Sequence, residues 1–170
     1  MRFNLLVGLL SLLLSSCGRP TDQSLASHGT INEDAPVKAT AQIIIAAPAN
    51  RVWDILTDIQ NWPSWQTDIT IVAIDQQPAV GVSFEWSTGA GNIHSRVALY
   101  KPQRQIAWTG RLLAFHAIHV WTITSLPNGK TLVTTSESMS GWPIALFFTS
   151  NDLLDADRRW LVYLAKKAAS

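Results

Sequence analysis

FHAIHVWTITSLPNGKTLVTTSESM, residues 115–139, reads as two β-strands joined by a tight turn. Pro127 suits the first corner of that turn, Asn128 the next position and Gly129 the left-handed one. Leu126-Pro127-Asn128-Gly129-Lys130 is therefore a three-residue hairpin loop that sets Leu126 opposite Lys130. From there the register pairs Ile123 with Val133, Trp121 with Thr135, His119 with Glu137 and Ala117 with Met139 on one face. The other face pairs Thr124 with Leu132, Thr122 with Thr134, Val120 with Ser136 and Ile118 with Ser138. The face carrying Trp121, Ile123, Val133 and Met139 is the better interior, which predicts His119 and Glu137 as inward-facing neighbours. A slip of one residue would turn every one of these side chains to the opposite face.

Upstream of the hairpin, strands are expected at Ile69–Asp75, Val82–Ser87, Ile93–Tyr100 and Gln105–Leu112. Gln77-Pro78, Gly89-Ala90-Gly91 and Lys101-Pro102 supply turn chemistry between them, and connectors this short make an antiparallel meander. Alternation points Val82, Phe84 and Trp86 inward, with Glu85 solvated on the opposite face. It places Ile93, Ser95, Val97 and Leu99 on one face and His94 and Arg96 on the other, and groups Ile106, Trp108 and Gly110. Earlier still, Val37–Ala47 is a first strand, and Pro48 opens a helix carrying Val52, Trp53, Ile55, Leu56 and Ile59 at helical spacing. Asn61-Trp62-Pro63-Ser64-Trp65 breaks that pattern into a second short helical turn, with Trp53, Trp62 and Trp65 packing these helices on the sheet rim. Trp142–Ala169 closes the chain as a long helix. Ile144, Phe147, Phe148, Leu154, Trp160, Leu161 and Leu164 supply its apolar face, Asp152, Asp155 and Asp157 lie in its middle, and Lys166 and Lys167 end it, where cations suit the helix dipole. The expected fold is α+β: a curved seven-stranded antiparallel sheet around a long C-terminal helix, with two short helices after the first strand. A space between sheet and helix suits a small apolar molecule.

The N-terminal stretch is an address. Arg2 precedes an apolar run from Leu5 to Leu14, too short to span a bilayer but suited to a secretory leader. Leu14-Ser15-Ser16-Cys17 then resembles a bacterial lipoprotein signal, and Cys17 is the chain's single cysteine. Residues 1–16 are expected to be removed and Cys17 lipidated, with Gly18 to about Ala35 a polar, flexible tether and 36–170 the folded domain. Gly18 in place of an aspartate points, in a Gram-negative cell, to the periplasmic face of the outer membrane. The 13 Lys+Arg against 12 Asp+Glu, unclustered, leave no stripe to track phosphates, so nucleic acid is not an expected partner. One cysteine excludes an internal disulfide and a cysteine-ligated zinc site.

Several blocks resemble the START-like helix-grip superfamily, also called SRPBCC, in its polyketide cyclase/dehydrase and lipid-transport branch. They are Ile45-Ala46-Ala47-Pro48-Ala49-Asn50-Arg51-Val52-Trp53; Asp58, Trp62-Pro63 and Trp65; Ala107-Trp108-Thr109-Gly110; His119-Val120-Trp121; Glu137-Ser138; and Gly141-Trp142. The resemblance runs from about Val37 to Ala169. It implies a hydrophobic cavity under the C-terminal helix that different members use for binding, transport or catalysis, and it does not select one reaction. The chain lacks the cysteine and histidine ligands of the iron–sulfur oxygenases of this fold. Its lipoprotein leader separates it from the branch that joins the chaperone Hsp90.

The candidate ligand-binding residues are Phe84, Trp86, Trp108, His119, Trp121, Glu137 and Met139. His119 and Glu137 have three readings: a satisfied pair that pins the register, two polar groups that orient an apolar ligand, or an acid–base pair of a cyclase or dehydratase. A scaffold whose interior is filled by its own side chains is the further alternative. No cofactor is implied, two ligands are too few for a zinc site, and Ser138 has no histidine opposite it for a hydrolase triad. The expected partners are a small hydrophobic ligand, of lipid, isoprenoid or polyketide type, and a membrane reached through Cys17. No charge cluster identifies a protein partner.

Overall fold

The computed structural model describes residues 20–170; the expected leader, 1–16, and Cys17 lie outside the described residues. In chain order the elements are α1 (Asp22–Ser27), β1 (Val37–Ile45), α2 (Ala49–Thr57), a 3-10 turn (Ile59–Ser64), β2 (Ile71–Ala73), β3 (Ser83–Thr88), β4 (Gly91–Lys101), β5 (Gln105–Leu112), β6 (Phe115–Leu126), β7 (Lys130–Ser140) and α3 (Ser150–Ala169). The strands form one seven-stranded antiparallel sheet in the order β1-β7-β6-β5-β4-β3-β2. This is the expected helix-grip architecture, with α3 against the sheet.

The hairpin register is as the turn chemistry requires, from Leu126 opposite Lys130 through His119 opposite Glu137 to Ala117 opposite Met139. Asn128 (φ 62°) joins Gly129 (φ 69°) in the left-handed region. Asparagine accepts that conformation more readily than other non-glycine residues.

Three expectations need correction. Leu99 does not share the inward face of Val97. A bulge between Val97 and Leu99 sets that stretch of β4 one residue out of phase with β5. Leu99 therefore joins the outer cluster, and Tyr100 turns in to meet Trp53 at 5.2 Å. The terminal helix begins at Ser150 rather than Trp142. Thr149 and Asp152 cap each other's backbone N–H groups in a capping box, and Pro143 precedes a separate 3-10 turn, Ile144–Leu146. Finally, the expected tether contains α1. Leu25, Ala26 and Ile31 cover Ala98, Ala107, Ile118 and Val120, which β4, β5 and β6 present on the outer face. That patch is apolar, and α1 removes it from water.

α2 and α3 are joined at their ends by Arg51, whose Nε donates to the Ala168 carbonyl at 2.7 Å. At the opposite end of the molecule the loop after β7 rests on the β5–β6 turn. Gly141 makes this possible: its φ is +108°, and an added Cβ would stand 2.3 Å from the Ala114 carbonyl oxygen. Gly141→Ala is expected to cost about 1–3 kcal/mol, whereas Gly89→Ala, with open space around it, should be nearly neutral. Denaturant midpoints of the two variants compare them, and equal midpoints would refute the close approach.

Candidate functional site

The inner face of the sheet converges on one row. β7 contributes Glu137, β6 His119, β5 Trp108 and β4 Val97, each register partner of the next. His119 Nδ1 lies 3.1 Å from Glu137 Oε2, and both side chains are 10% exposed. The Trp108 ring stacks on the His119 imidazole, with centroids 5.1 Å apart and planes 19° from parallel, while Trp86 meets the same ring edge-on at 5.9 Å. The neighbouring row holds Trp121 opposite Thr135. Phe84 and Trp86 are buried beside them. Met139 stands apart: it is partly buried in a separate cluster with Val37, Ile144 and Leu153.

Three residues outside the candidate set complete the site. Trp62, expected at the sheet rim, is fully buried and touches four aromatic rings, those of Phe84, Trp86, Trp108 and Trp160. Trp160 projects from α3 onto Trp62, Trp65, Trp86 and Trp121. Asp157, 2% exposed, lies one helical turn before it. The sequence carried a signal for Asp157: with Leu153, Leu161, Leu164 and Ala168 it makes the buried stripe of α3, and it is the charged member of an otherwise apolar set. Burial first, and the Glu137 carboxylate second, push its carboxyl up from 3.8 to about 8. Burial thus keeps the proton on this carboxyl well above the pH at which an ordinary aspartate loses it.

These rings lie in the space between sheet and helix where a cavity for an apolar ligand was expected. Two recesses do open on the described surface. One, of about 720 Å³, lies on the outer face between α1 and β3–β5, lined by Glu85, His94, Arg96 and Arg111 among others; a second lies between α2 and the end of α3. Neither is lined by His119 or Glu137. The outward residues behave as alternation predicts: Glu85 is half-exposed, 2.8 Å from His94 Nδ1.

Hydrogen bonding separates the tryptophans into two groups. Trp62 Nε1 donates to the Leu56 carbonyl at 2.9 Å and Trp86 Nε1 to Ser95 Oγ at 3.0 Å. Trp108 Nε1, Trp121 Nε1, Thr135 Oγ1 and Asp157 Oδ2 are buried with no hydrogen-bond partner within the protein. Buried polar atoms are ordinarily paired, since an unpaired one costs about 1–3 kcal/mol. Gln66 Nε2, just after the 3-10 turn, is a fifth such atom; the other four belong to the ring stacked on His119, to the Trp121–Thr135 pair two residues along the same strands, and to the carboxyl that senses Glu137. Among the described residues no third His, Cys, Asp or Glu joins His119 and Glu137 in metal-binding range.

The model of the family described as "polyketide cyclase / dehydrase and lipid transport" matches residues 36–156. Solved structures share the fold. A hypothetical protein from Helicobacter pylori superimposes with a TM-score of 0.72 at 20% identity, covering 80% of this chain and 90% of that one. An aromatase/cyclase from a Streptomyces species gives 0.61 at 16%, covering 78% and 93%. A START superfamily protein from Mycobacterium smegmatis gives 0.58 at 18%, covering 76% and 92%. No curated protein sequence matches the chain.

Proposed function

The chain belongs to the polyketide cyclase / dehydrase and lipid transport family, and on that premise we propose that it is a membrane-anchored binding protein for a small hydrophobic molecule bearing an oxygen function. One observation carries this reading: four buried, unpartnered polar atoms, Trp108 Nε1, Trp121 Nε1, Thr135 Oγ1 and Asp157 Oδ2, belong to the ring stacked on His119, to the row next to the His119–Glu137 pair and to the carboxyl within electrostatic reach of Glu137. A core built only for stability would pair or omit those groups. A carbonyl or hydroxyl on an otherwise apolar ligand would accept from the indole N–H groups and from the Asp157 carboxyl in its protonated form, while the tryptophan rings take up its apolar body. Trp160, partly buried on α3, is the ring such a ligand displaces on entry.

The membrane part of the proposal rests on the N-terminal sequence: an apolar leader followed by Leu14-Ser15-Ser16-Cys17. Lipidation there would hold the domain at the cell envelope, at the periplasmic face of the outer membrane in a Gram-negative host. Two or more acyl chains anchor durably where one does not.

Native mass spectrometry of the protein purified from its own host's envelope tests the ligand. A discrete added mass that organic extraction removes is expected. Trp108→Phe, which keeps a ring and removes the unpartnered indole N–H, should lower ligand retention roughly two- to tenfold, since a hydrogen bond contributes about 0.5–1.5 kcal/mol. A clean apo mass, with no uptake from an envelope lipid extract, would favour a scaffold with a self-filled core.

The buried acid favours one second reading. Burial holds the Asp157 carboxyl toward its protonated form within electrostatic reach of Glu137, and an acid kept in that form can pass a proton to a carbonyl. Under that reading Glu137→Gln abolishes turnover of the extracted molecule while the ligand is still retained.

A further inference from the structure

The four most exposed large apolar side chains among the described residues are gathered at one end, with Val80, Ile44 and Val162 exposed elsewhere. Leu113, at the tip of the β5–β6 turn, is 86% exposed, and Trp142, Leu146 and Phe147, in the loop between β7 and α3, are 85%, 75% and 75% exposed. The two segments abut, since Gly141 leaves no room for a Cβ against Ala114 and Phe115. From Ser138 to Asn151 the chain carries no charged residue. A contiguous apolar rim of this kind marks an interaction surface rather than scattered surface hydrophobes.

The course of α1 identifies what covers it. Gln23 lies beside Thr109 of β5, with their side chains 3.2 Å apart, and Gly29 lies against Gln105. α1 thus runs antiparallel to β5. Followed backward, Thr21 and Asp22 line the same recess as Arg111 and His116, the residues of β5 and β6 nearest the Leu113 turn in that recess. Cys17 is four residues upstream of Thr21, a reach of at most roughly 14 Å. A tether free from Gly18 to Ala35 would have reached roughly 60 Å and left the domain's orientation open. The docking of α1 on the outer face removes that freedom. An N-terminal membrane attachment, whether lipid on Cys17 or the apolar run Leu5–Leu14 itself, enters at the end that carries the rim.

We propose that Leu113, Trp142, Leu146 and Phe147 form a membrane-docking surface, seated in the headgroup region of the bilayer to which the N-terminus is attached. Tryptophan and phenylalanine suit that interface, and an anchor plus an apolar contact makes a two-point attachment with a fixed orientation. The interior site then sits behind a wall that meets lipid, and a hydrophobic molecule passes between bilayer and protein without crossing water. This orientation rests on the N-terminal anchor of the reading above.

Phe147→Cys and, at the opposite end of the hairpin, Lys130→Cys each add one thiol for an environment-sensitive fluorophore, because lipidation occupies the sulfur of Cys17. The processed protein is reconstituted in vesicles of phosphatidylethanolamine and phosphatidylglycerol. The label at 147 is expected to shift to the blue, to be quenched by lipid-borne quencher, and to be shielded at least threefold from aqueous iodide relative to the label at 130. Equal iodide quenching at both positions, in protein that floats with the vesicles, overturns the docking while leaving the anchor intact. Protein that does not float shows instead that the anchor has failed. The labelled variants carrying Cys17→Ser are then titrated with the same vesicles, where a blue shift confined to position 147 upholds the docking surface and no shift overturns it.

Discussion

Trp62→Ala is expected to lower the domain's stability by about 3–5 kcal/mol, the range for removing a large aromatic side chain from a packed core. Trp62 is fully buried, and its ring lies 5.1–6.0 Å from those of Phe84, Trp86, Trp108 and Trp160. The substitution leaves a void that β3, β5 and α3 cannot close together, and it strips the Leu56 carbonyl of its indole donor. Domains have about 5–15 kcal/mol in total, so the variant should melt roughly 10 °C or more below the parent. Trp142→Ala, at an 85% exposed position, should change stability by no more than about 0.5 kcal/mol. Thermal and urea unfolding of the two variants side by side make the measurement. Similar losses for both would mean that Trp62 is not the centre of the core.

Asp157→Asn is expected to stabilise the domain increasingly as pH rises. The folded-state carboxyl titrates at about 8, far above the 3.8 of an unperturbed aspartate. Below pH 3.8 folded and unfolded chains both hold the proton, and the group contributes nothing to the difference. Between 3.8 and 8 the unfolded chain loses the proton and the folded one keeps it. Folding is then penalised by up to about 1.4 kcal/mol for each pH unit. Above 8 both forms are ionised and the penalty levels off at its full size. Asparagine does not titrate, so the variant's advantage should be small at pH 4.5, larger at pH 6.5 and largest near pH 9. Urea midpoints across that range supply the test. A difference between parent and variant that does not change with pH would remove the buried acid from the account. Because the Glu137 carboxylate is the second cause of the shift, Glu137→Gln in the same background should shrink the effect without abolishing it.

Both experiments concern residues that one-dimensional reading undervalued, for different reasons. Trp62 sits in a segment whose Pro63 breaks the helical period, and periodicity has no purchase there. Nothing local says whether such a tryptophan lies at the rim or in the centre; the depth to which the 3-10 turn inserts between sheet and α3 decides it. Asp157 was legible in principle. The stripe Leu153, Asp157, Leu161, Leu164, Ala168 has a helical period, and a carboxylate on it is an anomaly. Placing the helix start at Trp142, before the Thr149–Asp152 cap, brought Phe147 and Phe148 into the apolar face and obscured that phase. Leu99 was lost to a bulge, which shifts alternation by one residue and leaves no mark in the residues themselves.

The hairpin stands at the other extreme. Pro127, Asn128 and Gly129 specify a turn, the turn specifies a register, and the register alone makes His119 and Glu137 neighbours. With the alternation of the remaining strands and the blocks around Trp53, Trp108 and Trp121, that was enough to reach the antiparallel sheet, the helix-grip fold and the family. The hairpins follow from residues near in sequence or locked in phase by a turn, while the helix-grip fold and the family follow from the resemblance those blocks carry. Tertiary structure decided what depends on separate elements meeting: that Trp62 and Trp160 fill the space under α3, that Asp157 comes within electrostatic reach of Glu137, and that α1 lies on the outer sheet face. No local propensity encodes those encounters. They are settled by which apolar surfaces remain uncovered once the sheet has formed.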